Sequence, residues 1–304
     1  MKFRHYFLHL ICCFSLLNQA YAQQMEEPER SLDKKKLKRF LIISGASYSL
    51  AQVGLYALWY KDQQSQSFQV FDDSQQWKQV DKAGHLYSAY HISQFGANAF
   101  LRAGLTDKKT YWYGALMGEV LLLPVEVFDG YSQAYGFSWS DLAANTAGAL
   151  LLPIQYELWE EIRIQPKFSF HRTDFAPLRP NTLGNGLSEE LLKDYNGQTY
   201  WFSVDIDKFF GTKNFPHWLN LAIGYGAENM VYSRSYENEA YGLKAYRQYY
   251  LAADFDLREF RKPPTSIGNK LLNSLIYLSE RIHLPAPALS YQEGKGFRFY
   301  PLYF

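Results

Sequence analysis

Residues 140–172, SDLAANTAGALLLPIQYELWEEIRIQPKFSFHR, hold the change of pattern that decides the fold. Up to Glu161 the residues are mostly small or aliphatic. Ser138, three positions before Asp141, gives the S-x-x-D spacing of a capping box, so a helix opens near Ser138 and runs to about 160. In KFSFHR, 167–172, apolar and polar residues alternate instead, the period of a half-buried strand. The chain therefore reads as helices before this point and as strands after it.

Three further helices are expected upstream. KTYWYGALMGEVLLLPVEVF occupies 109–128, a helix headed by DKAGH spans about 81–103, and FLIISGASYSLAQVGLYALWY, 40–60, runs 21 residues without a charge. The last is long enough to span a bilayer, which takes roughly 20 apolar residues. Its Ser44, Ser47, Ser49 and Gln52, with small residues at Gly45, Ala46, Ala51 and Gly54, favour a helix buried among other helices. Residues 23–39 read as a polar, flexible lead-in and 61–79 as a Gln-rich linker. The expected fold class is α+β: an N-terminal bundle of about four apolar helices, 40–162, followed at 163–304 by a small antiparallel sheet region packed on it.

Downstream, 167–172, 199–206, 219–228, 246–257 and 297–304 are strand candidates, and one helix is expected at about 266–282. LPAPAL, 284–289, reads as a stiff connector. KDYNGQTYW, 193–201, reads as a tight turn leading into a strand. The aromatic ending FYPLYF is similar to the last strand of an outer-membrane barrel, but about five strands fall short of the eight a closed barrel needs, and Pro301 interrupts the final one.

MKFRHYF supplies a basic n-region, FLHLICCFSLL an apolar core and AYA, 20–22, a cleavage signal, so residues 1–22 read as a signal peptide and the protein as exported to a bacterial envelope. Cys12 and Cys13 lie midway through that core, away from the place an acylated cysteine would take. The mature chain then has no cysteine, which excludes disulfides and thiolate chemistry. Lys and Arg number 31 against 30 Asp and Glu, so the balance offers no footprint for nucleic acid. Aromatic content is high, with 25 Tyr and 22 Phe; Tyr and Trp suit places where one end of a side chain is apolar and the other wet, which includes membrane interfaces, while Tyr-rich strands of soluble proteins give the same composition. The expected partner is a membrane surface or bilayer, or another envelope protein.

Several polar residues fall on otherwise apolar helices and need a reason. Asp81 and His85 are one helical turn apart, a spacing with which a carboxylate can orient an imidazole as base or metal ligand; Asp81 would equally suit a first helical turn. Glu119 and Glu126 share a face of the next helix. Asn145 follows Asp141 by one turn, and Gly148 would let another backbone come close. Buried, such groups must pair with one another or cost several kcal/mol each.

Together, D-K-x-x-H at Asp81, Lys82 and His85, then Glu126, then D-x-x-A-N-x-x-G at Asp141, Asn145 and Gly148, resemble the pattern of the VanZ-like membrane family. The chain is closer still to the YfiM-like group of predicted periplasmic lipoproteins and its longer envelope relatives, whose KDYNGQTYW-like segment and aromatic C-terminus it shares. It departs from the VanZ-like pattern in having Gln133 but no Arg between Glu126 and Asp141. The resemblance implies relatives and carries no reaction with it.

No GxSxG elbow, HExxH helix or P-loop is present. Two readings follow. In the first, Asp81, His85, Glu126, Asp141 and Asn145 form a polar centre that holds the helices of a structural or accessory envelope protein in register. In the second they serve an envelope enzyme acting on a lipid headgroup or cell-wall intermediate. His85 is then the base, Asp81 orients it, and Glu126 or Asp141 is the acid. No organic cofactor is expected; a hard divalent metal on His85, Asp81 and Glu126 suits the donor set.

Overall fold

The computed structural model describes residues 32–56, 65–105, 108–133, 135–211 and 215–304. The expected signal peptide, 1–22, and residues 23–31 of the expected lead-in lie outside them. The chain is α+β and divides into two compact units. One, largely helical, takes the chain up to Asp72, Ser88–Glu160 and Lys262–Leu275; the other, built on a sheet, takes Asp73–Tyr87, Glu161–Arg261 and Ile276–Phe304.

The helical unit contains α1 (Lys34–Leu55), α2 (Val80–Arg102) from Ser88 onward, α3 (Lys109–Gly130), α4 (Trp139–Trp159) and the first part of α5 (Ile267–Ser279). Its helices are not the apolar N-terminal bundle expected from the sequence. The unit draws on residues from near the C-terminus, and among the described residues no helix is long and apolar enough to cross a membrane. α2 carries Asp81, Lys82, His85, His91, Ser93 and Gln94, and the basic run of the lead-in is itself helical, Asp33 accepting hydrogen bonds from the N–H groups of Lys35 and Lys36 at 3.0 Å.

α1 is not a buried helix either. Among the described side chains of α1 Phe40 alone is buried, against Phe95 and Phe100, while Leu41, Ile42, Leu50 and Val53 are exposed and Gly45 and Gly54 face open space. Close packing occurs instead between α2 and α3. A Cβ on Gly114 would lie 2.5 Å from the Ser93 carbonyl oxygen, and one on Gly118 2.2 Å from Ser93 Oγ, so the small residues let the two backbones approach. Ala89, Ala115 and Ala149 form the core where α2, α3 and α4 meet. The Gln-rich linker is pinned here: the N–H groups of Gln66, Gln69 and Phe71 donate to the carbonyls of Tyr131, Gly130 and Phe137.

The sheet unit has six antiparallel strands in sequential order, β1 (Ile164–Phe170), β2 (Gln198–Val204), β3 (Leu219–Glu228), β4 (Tyr246–Phe255), β5 (Ala286–Gln292) and β6 (Gly296–Tyr303). The connector expected at 284–289 is thus mostly β5. Pro287 stands where the β5–β6 register shifts, a bulge that spares it a ladder hydrogen bond, so a proline that read as a breaker is accommodated. Pro166 and Pro301 lie on the two edge strands for the same reason. One face of the sheet is covered and largely polar, with Asn220, Gln248, Asp254, Ser290 and Gln292 buried around Trp201, Tyr250 and Tyr303. There Lys167 Nζ lies 2.5 Å from Asp254 Oδ2, and His283 stacks on Trp201 at 3.9 Å.

Before α2 the chain makes a left-handed turn. Trp77, Lys78 and Gln79 have φ of 45°, 51° and 65°, a conformation that costs an L-residue roughly 1–2 kcal/mol each. The sheet unit holds it: Trp77 N–H donates to the Ser233 carbonyl at 2.7 Å, Arg247 donates to Gln79 Oε1 at 2.8 Å, and Tyr225 Oη donates to the Lys78 carbonyl.

Candidate functional site

The turn fixes where DKAGH begins. Val80 is fully buried with Ala227 and Met230, so the first two turns of α2 are anchored on the sheet unit. Gly84 belongs to that anchoring, since a Cβ there would lie 2.8 Å from Tyr200 Oη. Tyr87 completes it, donating to the Arg281 carbonyl at 3.3 Å, and burial pushes its pKa up to about 12.

Within this frame Lys82 sits between two carboxylates. Its Nζ donates to Asp73 Oδ2 at 2.5 Å and to Asp81 Oδ2 at 2.9 Å, while Asp81 Oδ1 accepts the Lys82 backbone N–H at 2.9 Å. All three side chains are 10–14% exposed, so the charges stand mostly out of water and depend on one another. His85 lies one turn beyond Asp81 and is half-buried.

The other sequence-singled residues lie in the helical unit. Glu126, near the end of α3, and Asn145, on α4, are both fully buried, and Asn145 Nδ2 donates to Glu126 Oε1 at 3.3 Å. Asp141 is buried in the first turn of α4, where its N–H donates to Ser138 Oγ at 3.0 Å, as the capping spacing predicts. One turn after Leu142, Thr146 Oγ1 bonds Glu119 of α3. Glu119 and Glu126 of α3 therefore each have a hydrogen-bond donor on α4, 27 positions on for Glu119 and 19 for Glu126.

The sequence reading missed Asp73 and Thr146. Asp73 stands in a polar run, FDDSQQ, that gave no sign of burial. Thr146 is four residues beyond Leu142 in a helix, where a hydroxyl commonly bonds the preceding turn, as this one does at 2.9 Å. Among the described residues, Asp73, Asp81, His85, Glu126 and Asp141 are acidic and imidazole groups that could serve as metal ligands, oxygen and nitrogen donors suited to a hard or borderline divalent cation.

A second polar knot lies in the KDYNGQTYW segment, which forms the expected turn. Asp194 is fully buried and accepts from Thr173 Oγ1 at 2.5 Å and Asn196 Nδ2 at 2.8 Å; Asn196 in turn bonds both backbone groups of Met230, at 2.7 and 2.8 Å. Burial raises the Asp194 pKa against those bonds. Gly197 is required there, because a Cβ would fall 2.1 Å from the His171 carbonyl oxygen.

Residues 70–157 match a family model described as "Predicted periplasmic lipoprotein (DUF2279)". The matched stretch runs from just before Asp73 through the Glu126–Asn145 contact to the end of α4. No curated protein and no solved structure matches the chain. The family's description agrees with the expectation of export: this is an exported, periplasmic protein of the cell envelope.

Proposed function

We propose that this protein is a structural or accessory component of the envelope, associated with a membrane, in which the polar residues of the YfiM-like and VanZ-like motifs hold the backbone in register. The observation that carries the reading is the commitment of those residues to one another. Lys82 is spent on Asp73 and Asp81, and Asn145 on Glu126, each at low exposure. A lysine held by two carboxylates is a clamp between the chain before the left-handed turn and the start of α2, and Asn145 clamps α4 to α3. Such groups specify one arrangement of elements, because any other would leave them buried and unsatisfied.

The enzyme reading is the alternative, favoured by the ligand-type groups Asp81, His85, Glu126 and Asp141. There His85 would be base or metal ligand, Asp81 would orient it, and the substrate would be a lipid headgroup or cell-wall intermediate. Metal analysis separates the two. Mature protein purified without chelators and dialysed against dilute zinc, manganese or magnesium should hold less than stoichiometric metal if the groups are clamps. One tightly held ion per chain, lost in a folded His85→Ala variant, would support the enzyme. Membrane association is checked by carbonate extraction of cell membranes, after which the protein should stay in the pellet.

A further inference from the structure

The polarity of the sheet is inverted relative to a sheet that faces water. In a water-facing antiparallel sheet the covered face is apolar and the exposed one polar. Here the covered face holds Asn220, Gln248, Asp254, Ser290 and Gln292, while the other exposes Ile223, Tyr249, Leu251, Leu289 and Phe299, Ile223 at 55% and Phe299 at 63%.

The register sorts this exposed face into rows across the strands. Phe168, Tyr200, Tyr225, Tyr249, Tyr291 and Phe297 stand opposite one another in turn, one aromatic ring per strand; the first three are covered by the start of α2 and the turn before it, and Tyr249, Tyr291 and Phe297 are exposed. Two residues further along each strand, one way, runs an aliphatic and aromatic row through Phe202, Ile223, Leu251, Leu289 and Phe299. Beyond it Val204, Leu221 and Ala253 continue the band, which closes at Leu219 and Phe255, the latter stacked on Trp218 at 6.0 Å. Two residues the other way from the tyrosines, Phe170, Gln198 and Ala227 are buried and Arg247, Glu293 and Lys295 carry charge.

Along the strand axis the order is charged, aromatic, uncharged aliphatic, aromatic. From Tyr225 to Leu219 the band is about 20 Å long at roughly 3.4 Å per residue, short of the roughly 9–11 residues of a membrane-spanning strand, and it carries no charged side chain. This is the charge profile of a bilayer: ions at the headgroups, Tyr and Trp at the interface, aliphatic side chains against acyl chains. Hydrocarbon also penalises open strand edges. The outer edge of β1 is partly taken up, Phe168 exchanging backbone hydrogen bonds with Arg281 and His283 at 3.0 and 2.9 Å, and Pro301 removes a donor from β6.

We infer that the face carrying Ile223, Leu251 and Leu289 is the protein's lipid-contacting surface, with the exposed rings of Tyr249 and Tyr291 at the headgroup level. The inference rests on the membrane association proposed above and names the surface that provides it.

The mature chain has no native cysteine, which makes a labelling test direct. Single cysteines replace Ile223, Leu251 and Leu289 in the band and Glu239, outside it, as the control. Each is treated with a membrane-impermeant maleimide in isolated, opened membranes and again after detergent solubilisation and delipidation. In membranes the band cysteines should react at least about tenfold more slowly than the control, because reaction needs a water-exposed thiolate, and delipidation should abolish the difference. Equal reactivity in protein that pellets with membranes would overturn the assignment of this face while leaving membrane association intact. Protection that survives delipidation would also overturn it, since a second copy or a protein partner would then be covering the face. Protein recovered in the carbonate supernatant would refute membrane association itself.

Discussion

Replacing Lys82 with Met keeps the aliphatic stem and removes the charge that Asp73 and Asp81 share. Lys82 Nζ lies 2.5 and 2.9 Å from the two carboxylates, and all three side chains are 10–14% exposed. Breaking a fully buried ion pair costs about 3–5 kcal/mol; the remaining contact with water lowers the expected loss here to about 2–4 kcal/mol. Adding Asp73→Asn to the Lys82→Met chain should recover about half of it, because one of two facing carboxylates is then neutral. The assay is urea unfolding of the mature protein by tryptophan fluorescence, with the slope required to stay constant so that midpoints report stability. Salt supplies the internal control: an exposed pair is screened at high ionic strength, whereas this loss should persist. A loss below about 1 kcal/mol, or one that vanishes with added salt, would refute the clamp, for it would mean that Lys82 makes only a surface pair.

Four other outcomes are expected. Gly114→Ala should cost about 2 kcal/mol or more by forcing α2 and α3 apart, while Gly45→Ala, in open space, should gain about 0.5–1 kcal/mol; thermal melts of the two variants check the contrast. Lys78→Gly should stabilise by about 0.5–1 kcal/mol by relieving a left-handed φ, and a loss in urea midpoint would refute the left-handed turn. Burial holds the pKa of His283 down at about 4. Below its unfolded value near 6.5 the unfolded chain therefore binds a proton that the folded one does not. Stability is then full above about pH 6.5 and falls as the pH drops toward 4, by about 2 kcal/mol between pH 7 and 5 at 1.36 kcal/mol per unit. His283→Gln should flatten that fall, as read from urea unfolding at the two pH values.

The change of pattern near residue 162 and the long helices were legible because their apolar periodicity runs for 20 residues or so. Strands β1–β4 were legible by alternation and β6 by its aromatic run. β5 was not, because Pro285 and Pro287 mask a strand whose bulge accepts them. The polarity of the sheet was also hidden: alternation shows that two faces differ and cannot say which of them is covered. At the candidate site, Asp141 was legible as a cap and Asn145 as a polar residue needing a partner. Its partner Glu126 was visible only as a carboxylate near a helix end, since pairing across 19 residues depends on how α3 and α4 pack. Asp73 was invisible because its burial follows from the left-handed turn, and no local signal marks Trp77, Lys78 or Gln79 as residues that would adopt positive φ.

The claim that the motif residues are clamps is tested most directly by a double-mutant cycle on Glu126 and Asn145, the two fully buried side chains joined at 3.3 Å. Unfolding free energies are measured for Glu126→Gln, Asn145→Ala, the double variant and the parent. Asn145→Ala should lose about 2 kcal/mol or more by taking a hydrogen-bond donor from a buried carboxylate, with a coupling energy of at least about 1 kcal/mol between the sites. Unchanged or raised stability in the single variants would contradict the account. It would mean that the chain tolerates buried polarity at α3 and α4 at a cost to its own stability, as enzymes do at their active sites.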